Sequence, residues 1–272
     1  MNERKAFVID VSLCSGCYNC QFACKDEHVG NNWSPYSKPE PTIGQFWIKI
    51  REYTRGTLPK VKLHFIPVLC AHCDNAFCMA ACADEAIYRR EDGLVIIAPQ
   101  KCTGCKKCVS ACPYGAVYFN DELKIAQKCT GCAHLLDNGR SEPRCTAICH
   151  SGALRFVNES ELGDIPDKAR DLNPCGAGPH VYYLNIPKNF IGGTVFDPDK
   201  NEIVKGARCR LTGKVKSFET TTDGFGDFWF EGLDEDLWTL SVEAGGYKKL
   251  TLEGIQTKES VNLGDIALIP SN

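Results

Sequence analysis

Hydrophobic and polar positions divide the chain into two parts with different patterns. Up to about residue 157 the apolar runs are short and scattered; Leu94–Ala98 is an example. From Phe190 onward apolar and polar residues alternate over short segments, which is the pattern of strands with one buried face. No run approaches the roughly 20 apolar residues that a membrane-spanning helix needs. We therefore expect two domains and no membrane span.

The second part predicts a small all-β domain over residues 190–272. A turn rich in glycine, Thr222–Phe228, separates two of its segments. Seven strands are enough for a Greek-key sandwich. They are expected at Ile191–Phe196, Ala207–Leu211, Val215–Thr221, Asp227–Glu231, Leu237–Glu243, Lys248–Leu252 and Val261–Ile269.

This segment resembles transthyretin-like and carboxypeptidase-regulatory-like domains. The resemblance rests on Gly193–Val195, Gly206-Ala207 and Ala244–Tyr247, which stand at matching places. It implies a fold and carries no information about function.

Cysteine spacing is the main chemical signal of the first part. Of the eighteen cysteines, sixteen lie between Cys14 and Cys149, in four motifs that each end in C-x3-C. The first and third motifs read C-x2-C-x2-C-x3-C, and the second and fourth contain wider gaps. The motifs are Cys14, Cys17, Cys20 and Cys24; Cys70, Cys73, Cys78 and Cys82; Cys102, Cys105, Cys108 and Cys112; and Cys129, Cys132, Cys145 and Cys149.

This spacing favours 4Fe-4S clusters. Three closely spaced thiolates can reach three irons of one cubane, while the fourth points away and binds a second cluster, so the motifs work in pairs. Structural zinc is the alternative, but zinc sites normally use two separated C-x2-C pairs and need no third cysteine at the next position. Pro113, directly after Cys112, also fits the iron-sulfur pattern.

The short strands around the motifs complete the prediction for this part. Strands are expected at Phe7–Ile9, Lys62–Pro67 and Leu94–Ile97, and hairpins at Tyr88–Ile97 and Val117–Ile125. We predict an α+β fold of two ferredoxin-like 4Fe-4S modules, in tandem or nested over residues 1–157. In such a fold the clusters replace much of an ordinary hydrophobic core.

Charge changes this picture little. The net charge is +4 up to Val157 and −7 from Asn158. Basic residues in the first part are scattered and form no stripe, which disfavours nucleic-acid binding. Four lysines stand beside cysteines and are expected to offset cluster charge. They are Lys101, Lys106, Lys107 and Lys128.

In the order and spacing of its four motifs the chain resembles the iron-sulfur subunits of molybdopterin oxidoreductases related to dimethyl sulfoxide reductase. The likeness covers roughly Ala6–Leu184 and includes Gly178–Leu184, which closes the core in such subunits. It implies that the first motif pairs with the fourth and the second with the third, each final cysteine serving the partner cluster. Cys82 and Cys149 are followed by Ala83 and His150 where the family has proline, so at least three of the four clusters are expected.

With its added β domain, the chain resembles the small subunit of an enzyme that transfers hydroxyl groups between polyhydroxybenzenes during anaerobic aromatic degradation. The resemblance implies a heterodimer whose large catalytic subunit holds molybdenum on two molybdopterin guanine dinucleotides. This chain would be its non-catalytic electron-transfer subunit. Two alternatives stay open: an electron conduit in a respiratory molybdoenzyme, and a free polyferredoxin. The N-terminus has no signal-peptide-like stretch, so a cytoplasmic location is expected.

Two further segments have separate interpretations. Residues 25–69 form an insertion between motifs, expected to be an arm partly ordered on a partner, with a mobile loop as the alternative. Residues 158–189, which are rich in proline, are expected to be a linker that closes the core.

The remaining reactive side chains suggest no catalytic site. Cys209 is expected inside the sandwich and Cys175 is expected to be inert. His72 and His150 lie within cysteine motifs, where they tune cluster potentials or simply face solvent. No nucleophile–base pair, phosphate loop or flavin motif is present.

Overall fold

A computed structural model describes residues 3–271. The chain separates into two compact units, described in turn. The first unit comprises Met1–Glu52 and His64–Ile186, and the second comprises Tyr53–Leu63 and Pro187–Asn272. The described residues contain no helix long and apolar enough to span a membrane.

Strands and short helices alternate along the first unit. Its strands are β1 Lys5–Asp10, β2 Ile48–Thr57, β3 Lys60–Leu69, β4 Ile87–Arg89, β5 Val95–Ile97, β6 Val117–Asn120, β7 Ile125–Lys128, β8 Leu154–Asn158 and β9 Val181–Leu184. Its helices are α1 Asn19–His28, α2 Phe77–Ala80, α3 Lys107–Ala111, α4 Ala133–Asp137, α5 Arg144–Ala147 and α6 Ile165–Lys168. Only α1 is longer than five residues.

A three-stranded sheet holds the two ends of this unit together. The central strand β1 pairs antiparallel with β8 and parallel with β9. Its residues Ala6–Ile9 are apolar and buried on both faces, as a central strand requires. Strand β9 lies within Gly178–Leu184, the segment expected to close the core, and it pairs with the central strand of this sheet.

Two hairpins lie where the alternating pattern and turn residues predict them. Strands β4 and β5 pair around Asp92-Gly93, and β6 and β7 pair around the turn that follows Asn120. The side-chain carbonyl of Asn120 accepts the N–H groups of Glu122 and Leu123, both at 3.0 Å, and so shapes that turn.

The part of the insertion that precedes β2 folds back onto the first unit. Gln127 Nε2 donates to the carbonyl oxygens of Lys38 and Pro39, at 2.9 and 3.1 Å. The Tyr118 hydroxyl donates to the Phe46 carbonyl at 2.8 Å. These bonds place the polar stretch before β2 on the β6–β7 hairpin. Contact of this stretch with a partner stays a prediction.

The second unit is a sandwich of two sheets. Its strands are β10 Asn189–Asp197, β11 Glu202–Ile203, β12 Arg208–Thr212, β13 Ser217–Thr221, β14 Asp227–Leu233, β15 Leu237–Glu243, β16 Leu250–Gln256 and β17 Val261–Ala267. One sheet has the order β13-β12-β15-β16; in the other, β10 pairs with β11, β14 and β17. All seven predicted strands are present, and the two-residue β11 is additional. The Greek-key description stays a prediction.

The tip of the β2–β3 hairpin belongs to the second unit. Lys60 is buried and forms an ion pair with Asp227, and the Lys62 ammonium lies 4.8 Å from the centre of the Trp229 ring. Asn262 Nδ2 donates to the carbonyl oxygens of Thr57 and Leu58 at 3.1 and 3.0 Å. The sandwich thus includes residues that precede it by more than a hundred positions.

Substitution of two leucines on β15 tests which face of this strand lies in the sandwich core. Leu240 is fully buried, whereas Leu237 is 46% exposed. Leu240→Ala should lower the free energy of unfolding by about 2–5 kcal/mol, since it leaves a cavity in the core. Leu237→Ala, the matched control, should cost well under half as much. Urea unfolding followed by tryptophan fluorescence measures both; equal losses would contradict the assigned faces.

Candidate metal centres

The cysteine loops share one backbone shape. In three of the four motifs a glycine with positive φ lies between the first two cysteines: Gly16, Gly104 and Gly131, at +68°, +76° and +61°. A Cβ at Gly104 would lie 2.3 Å from the Lys124 carbonyl oxygen, so the close approach excludes any side chain. The second motif has His72 at this position, with φ of +45°.

The structure collects the sixteen thiols into four quartets, each drawn from two motifs. We call them A, B, C and D. Quartet A is Cys14, Cys17, Cys20 and Cys149; quartet B is Cys24, Cys129, Cys132 and Cys145; quartet C is Cys70, Cys73, Cys78 and Cys112; quartet D is Cys82, Cys102, Cys105 and Cys108.

The electrostatic effect of one thiol on the pKa of another shows which thiols are neighbours. Burial, and after it Cys14, Cys149 and Cys17, raises the pKa of Cys20 to about 12. Burial followed by Cys145, Cys129 and Cys132 raises the pKa of Cys24 well above its usual value. These thiols are therefore protonated at neutral pH without a metal, and a metal must displace their protons when it binds.

The other two quartets show the same coupling. Burial, then Cys70 and Cys78 and more weakly Cys112, raises the pKa of Cys73 to about 12. Burial, then Cys102 and Cys78 and more weakly Cys82 and Cys105, raises the pKa of Cys108 to about 11. Cys78 borders the cavity of quartet C, and the other three border one cavity together with Cys108.

Quartets C and D each line a cavity. All four thiols of quartet C border one cavity, together with Val95, Val117 and other mainly apolar residues. All four thiols of quartet D border another, with Ile87, Ile97 and Ala126. A cavity walled by four thiols and apolar side chains fits an iron-sulfur cluster.

The quartets follow one another in the order A, B, C, D. Burial is the largest cause of the raised pKa of Cys145 and of Cys129, both in quartet B. Cys20 of quartet A also raises the pKa of Cys145, and Cys70 of quartet C also raises that of Cys129. Cys78 of C likewise affects Cys108 of D. Each quartet therefore lies next to the following one.

Backbone N–H groups point at several thiols. Ala116 N donates to Cys112 Sγ and Ala126 N to Cys102 Sγ, both at 3.4 Å. Leu154 N donates to Cys149 Sγ and Gly131 N to Cys129 Sγ, both at 3.3 Å. Such bonds stabilise thiolates and help set cluster potentials.

Between residues 3 and 271, no three Cys, His, Asp or Glu side chains are close enough together to hold one metal ion. The fit to a multi-iron cluster rests on the all-cysteine quartets, the cavities and the N–H donors. The eighteen cysteines are all free thiols.

Charged and aromatic neighbours differ between the quartets. Lys128 is 2% exposed and donates to Cys70 Sγ at 3.2 Å, whereas Lys101, Lys106 and Lys107 are exposed. His72 is buried and does not face solvent.

One histidine was not singled out from the sequence. His28 is 1% exposed, and its Nε2 lies 3.9 Å from Cys132 Sγ. His28 follows Cys24 by four residues on α1, so helical spacing could have indicated that it faces quartet B. His150, which directly follows the last cysteine of the fourth motif, is exposed, and its Nδ1 lies 4.0 Å from Cys17 Sγ.

Comparison with known proteins gives matches for both units of the chain. Residues 61–159 match the 4Fe-4S dicluster domain family, and residues 191–268 match the carboxypeptidase regulatory-like domain family. The pyrogallol hydroxytransferase small subunit of Pelobacter acidigallici is 35% identical over 98% of this chain and 100% of its own. A tetrathionate reductase subunit of Salmonella typhimurium is 35% identical over 70% of this chain and 75% of its own.

The chain belongs to the iron-sulfur subunits of molybdenum oxidoreductases related to dimethyl sulfoxide reductase. Another relative, the probable anaerobic dimethyl sulfoxide reductase chain YnfG of Escherichia coli, is 34% identical over 60% of this chain and 77% of its own. Membership of this family confirms the predicted 4Fe-4S character and the role as an electron-transfer subunit. The division into two ferredoxin-like modules stays a prediction.

Double substitutions test whether one cluster is bound by the thiols of a quartet or by the thiols of a single motif. Cys78→Ala with Cys112→Ala removes two thiols of quartet C, so the chain should lose about four iron atoms. Cys108→Ala with Cys112→Ala removes two thiols of one motif but of two quartets, so about eight should be lost. Iron analysis of the anaerobically purified protein measures the difference. Cys209→Ala is the control, and equal losses from the two double variants would contradict the quartets.

Proposed function

We propose that this chain is the electron-transfer subunit of a molybdenum hydroxytransferase that acts on polyhydroxybenzenes such as pyrogallol. The observation that carries the proposal is the extent of the match. Similarity to the hydroxytransferase small subunit runs through both units, over 98% of the chain, whereas the match to the tetrathionate reductase subunit stops at 70%.

In this proposal the sixteen motif cysteines are the ligands of up to four 4Fe-4S clusters, one in each quartet. When bound, the clusters supply one-electron transfer. The chain's own residues hold the sites in a fixed order and shield them from solvent. Quartet B is buried throughout, and the exposed thiols of the sixteen are Cys17 in A and Cys105 in D. Quartets A and D are therefore the places for electron exchange with other groups.

The chemistry on the substrate is assigned to a large partner subunit that carries molybdenum on two molybdopterin guanine dinucleotides. Hydroxyl transfer between two polyhydroxybenzenes is redox-neutral overall, so steady electron export from this chain is not needed. Its part is to set or restore the oxidation state of the partner's metal. The expected cytoplasmic location is part of the same proposal.

A second candidate is an electron-conduit subunit of a respiratory reductase. The observation in its favour is the 35% identity of the cysteine-rich part to the tetrathionate reductase subunit. The two candidates differ in their partners: a respiratory conduit requires a quinone-linked membrane subunit, whereas the hydroxytransferase requires only the large catalytic chain.

Purification from the native cells tests the proposal. A tagged form of this chain, isolated anaerobically, should bring down one large chain together with molybdenum and about twelve to sixteen iron atoms per tagged chain, which corresponds to three or four clusters. The complex should transfer hydroxyl groups between polyhydroxybenzenes without an added electron acceptor.

Two results would contradict the hydroxytransferase assignment. One is recovery of a membrane subunit with acceptor-dependent reductase activity, which favours the respiratory conduit. The other is recovery of the chain as an iron-loaded monomer, which favours a free polyferredoxin.

A further inference from the structure

The same pentapeptide, Lys-Cys-Thr-Gly-Cys, occurs twice in the chain. It occupies residues 101–105 and 128–132 and opens the third and fourth motifs. The lysine of the first copy, Lys101, is exposed, whereas the lysine of the second, Lys128, is 2% exposed. Identical local sequence therefore leads to two different environments.

The Lys128 ammonium lies between two quartets, and all three of its N–H donors are used in hydrogen bonds. Its Nζ donates to Cys70 Sγ of quartet C at 3.2 Å and to the carbonyl of Cys129, a quartet B residue, at 3.0 Å. It also donates to the Val95 carbonyl oxygen. These three acceptors account for the three N–H donors of an ammonium group. A positive charge is thus held inside the unit, in direct contact with a thiol of quartet C.

His72 is a second buried donor at quartet C. It occupies the place that glycine takes in the other three motifs and adopts a positive φ of 45°. Non-glycine residues rarely adopt this conformation, and such strain concentrates at functional positions.

The hydrogen bonds of His72 fix where its ring carries a proton. Its Nδ1 accepts the Val95 N–H at 3.1 Å, which leaves Nε2 as the protonated nitrogen. Within residues 3–271 that buried Nε2 has no hydrogen-bond partner, and His72 lines the cavity bordered by quartet C. Val95 on β5 thereby contacts both groups, His72 through its N–H and Lys128 through its carbonyl.

We propose that Lys128 and His72 make the centre at quartet C the most easily reduced of the four. The inference rests on the proposed function in one respect, that the quartets hold clusters. Reduction adds one negative charge to a cluster, and a buried ammonium and a buried N–H donor both stabilise added negative charge. Quartet B has one buried imidazole, His28, whose Nε2 lies 3.9 Å from Cys132 Sγ, so it has a counterpart of His72. It has no counterpart of the Lys128 bond: among the described residues, no lysine or arginine side chain donates a hydrogen bond to a thiol of the other three quartets.

Redox titration of the anaerobically purified complex, followed by electron paramagnetic resonance, tests this inference. Lys128→Met removes the charge and keeps a side chain of similar length. The highest midpoint potential should fall by at least about 59 mV, which is a tenfold change in the one-electron equilibrium constant. Lys101→Met is the matched control from the other copy of the pentapeptide and should leave all midpoints unchanged.

His72→Gly provides an independent variant. It introduces the glycine found at this position in the other three motifs, relieves the strained backbone and removes the imidazole N–H donor. It should lower the same midpoint as Lys128→Met, and Lys128→Arg should retain most of the original value. Iron analysis accompanies each titration. If Lys128→Met loses about four iron atoms, the His72→Gly titration decides the question.

The proposal is overturned if the highest midpoint stays in place in His72→Gly, or if Lys128→Met changes it no more than Lys101→Met does. A wild-type complex without iron would instead overturn the proposed function, so the two failures are distinguishable.

Discussion

Sulfur ligands that are far apart in sequence have to meet inside a small domain, and the first unit is organised around this requirement. Each quartet takes three thiols from one motif and one from another, so the loops of both motifs must be packed before any quartet is complete. Cys149 is separated from Cys20 by 129 positions, yet after burial and Cys14 it contributes to raising the pKa of the Cys20 thiol. The central strand β1, paired with β8 and β9, joins the beginning and the end of the unit and makes this meeting possible.

Burial of the quartets suits them to hold clusters, and it also makes ionisation of their thiols unfavourable. Burial raises the pKa of nearly every inner thiol, because a thiolate is poorly solvated there. Backbone N–H groups, the buried ammonium of Lys128 and the buried imidazoles of His28 and His72 offset part of this cost, and they are distributed unevenly. We infer that the uneven distribution gives otherwise similar centres different potentials.

Much of this architecture could be predicted from the sequence. Cysteine spacing indicates the ligands because cubane geometry restricts it, and strict alternation indicates the seven strands of the sandwich because one face of each is buried. The environment of each lysine could not be predicted in this way. Lys101 and Lys128 have the same four following residues, and only the long-range packing of β7 against β5 and the second motif buries one of them. The ion pair of Lys60 with Asp227 is hidden from the sequence for the same reason.

The central claim is that each quartet, assembled from two motifs, holds one 4Fe-4S cluster. Anomalous diffraction at the iron edge, from crystals of the anaerobic complex, tests it most directly. The account predicts one iron-cluster peak within each occupied quartet, with the last cysteine of each motif bound to the cluster of its partner motif. Peaks at the zinc edge instead, or clusters bound by all four cysteines of a single motif, would contradict it.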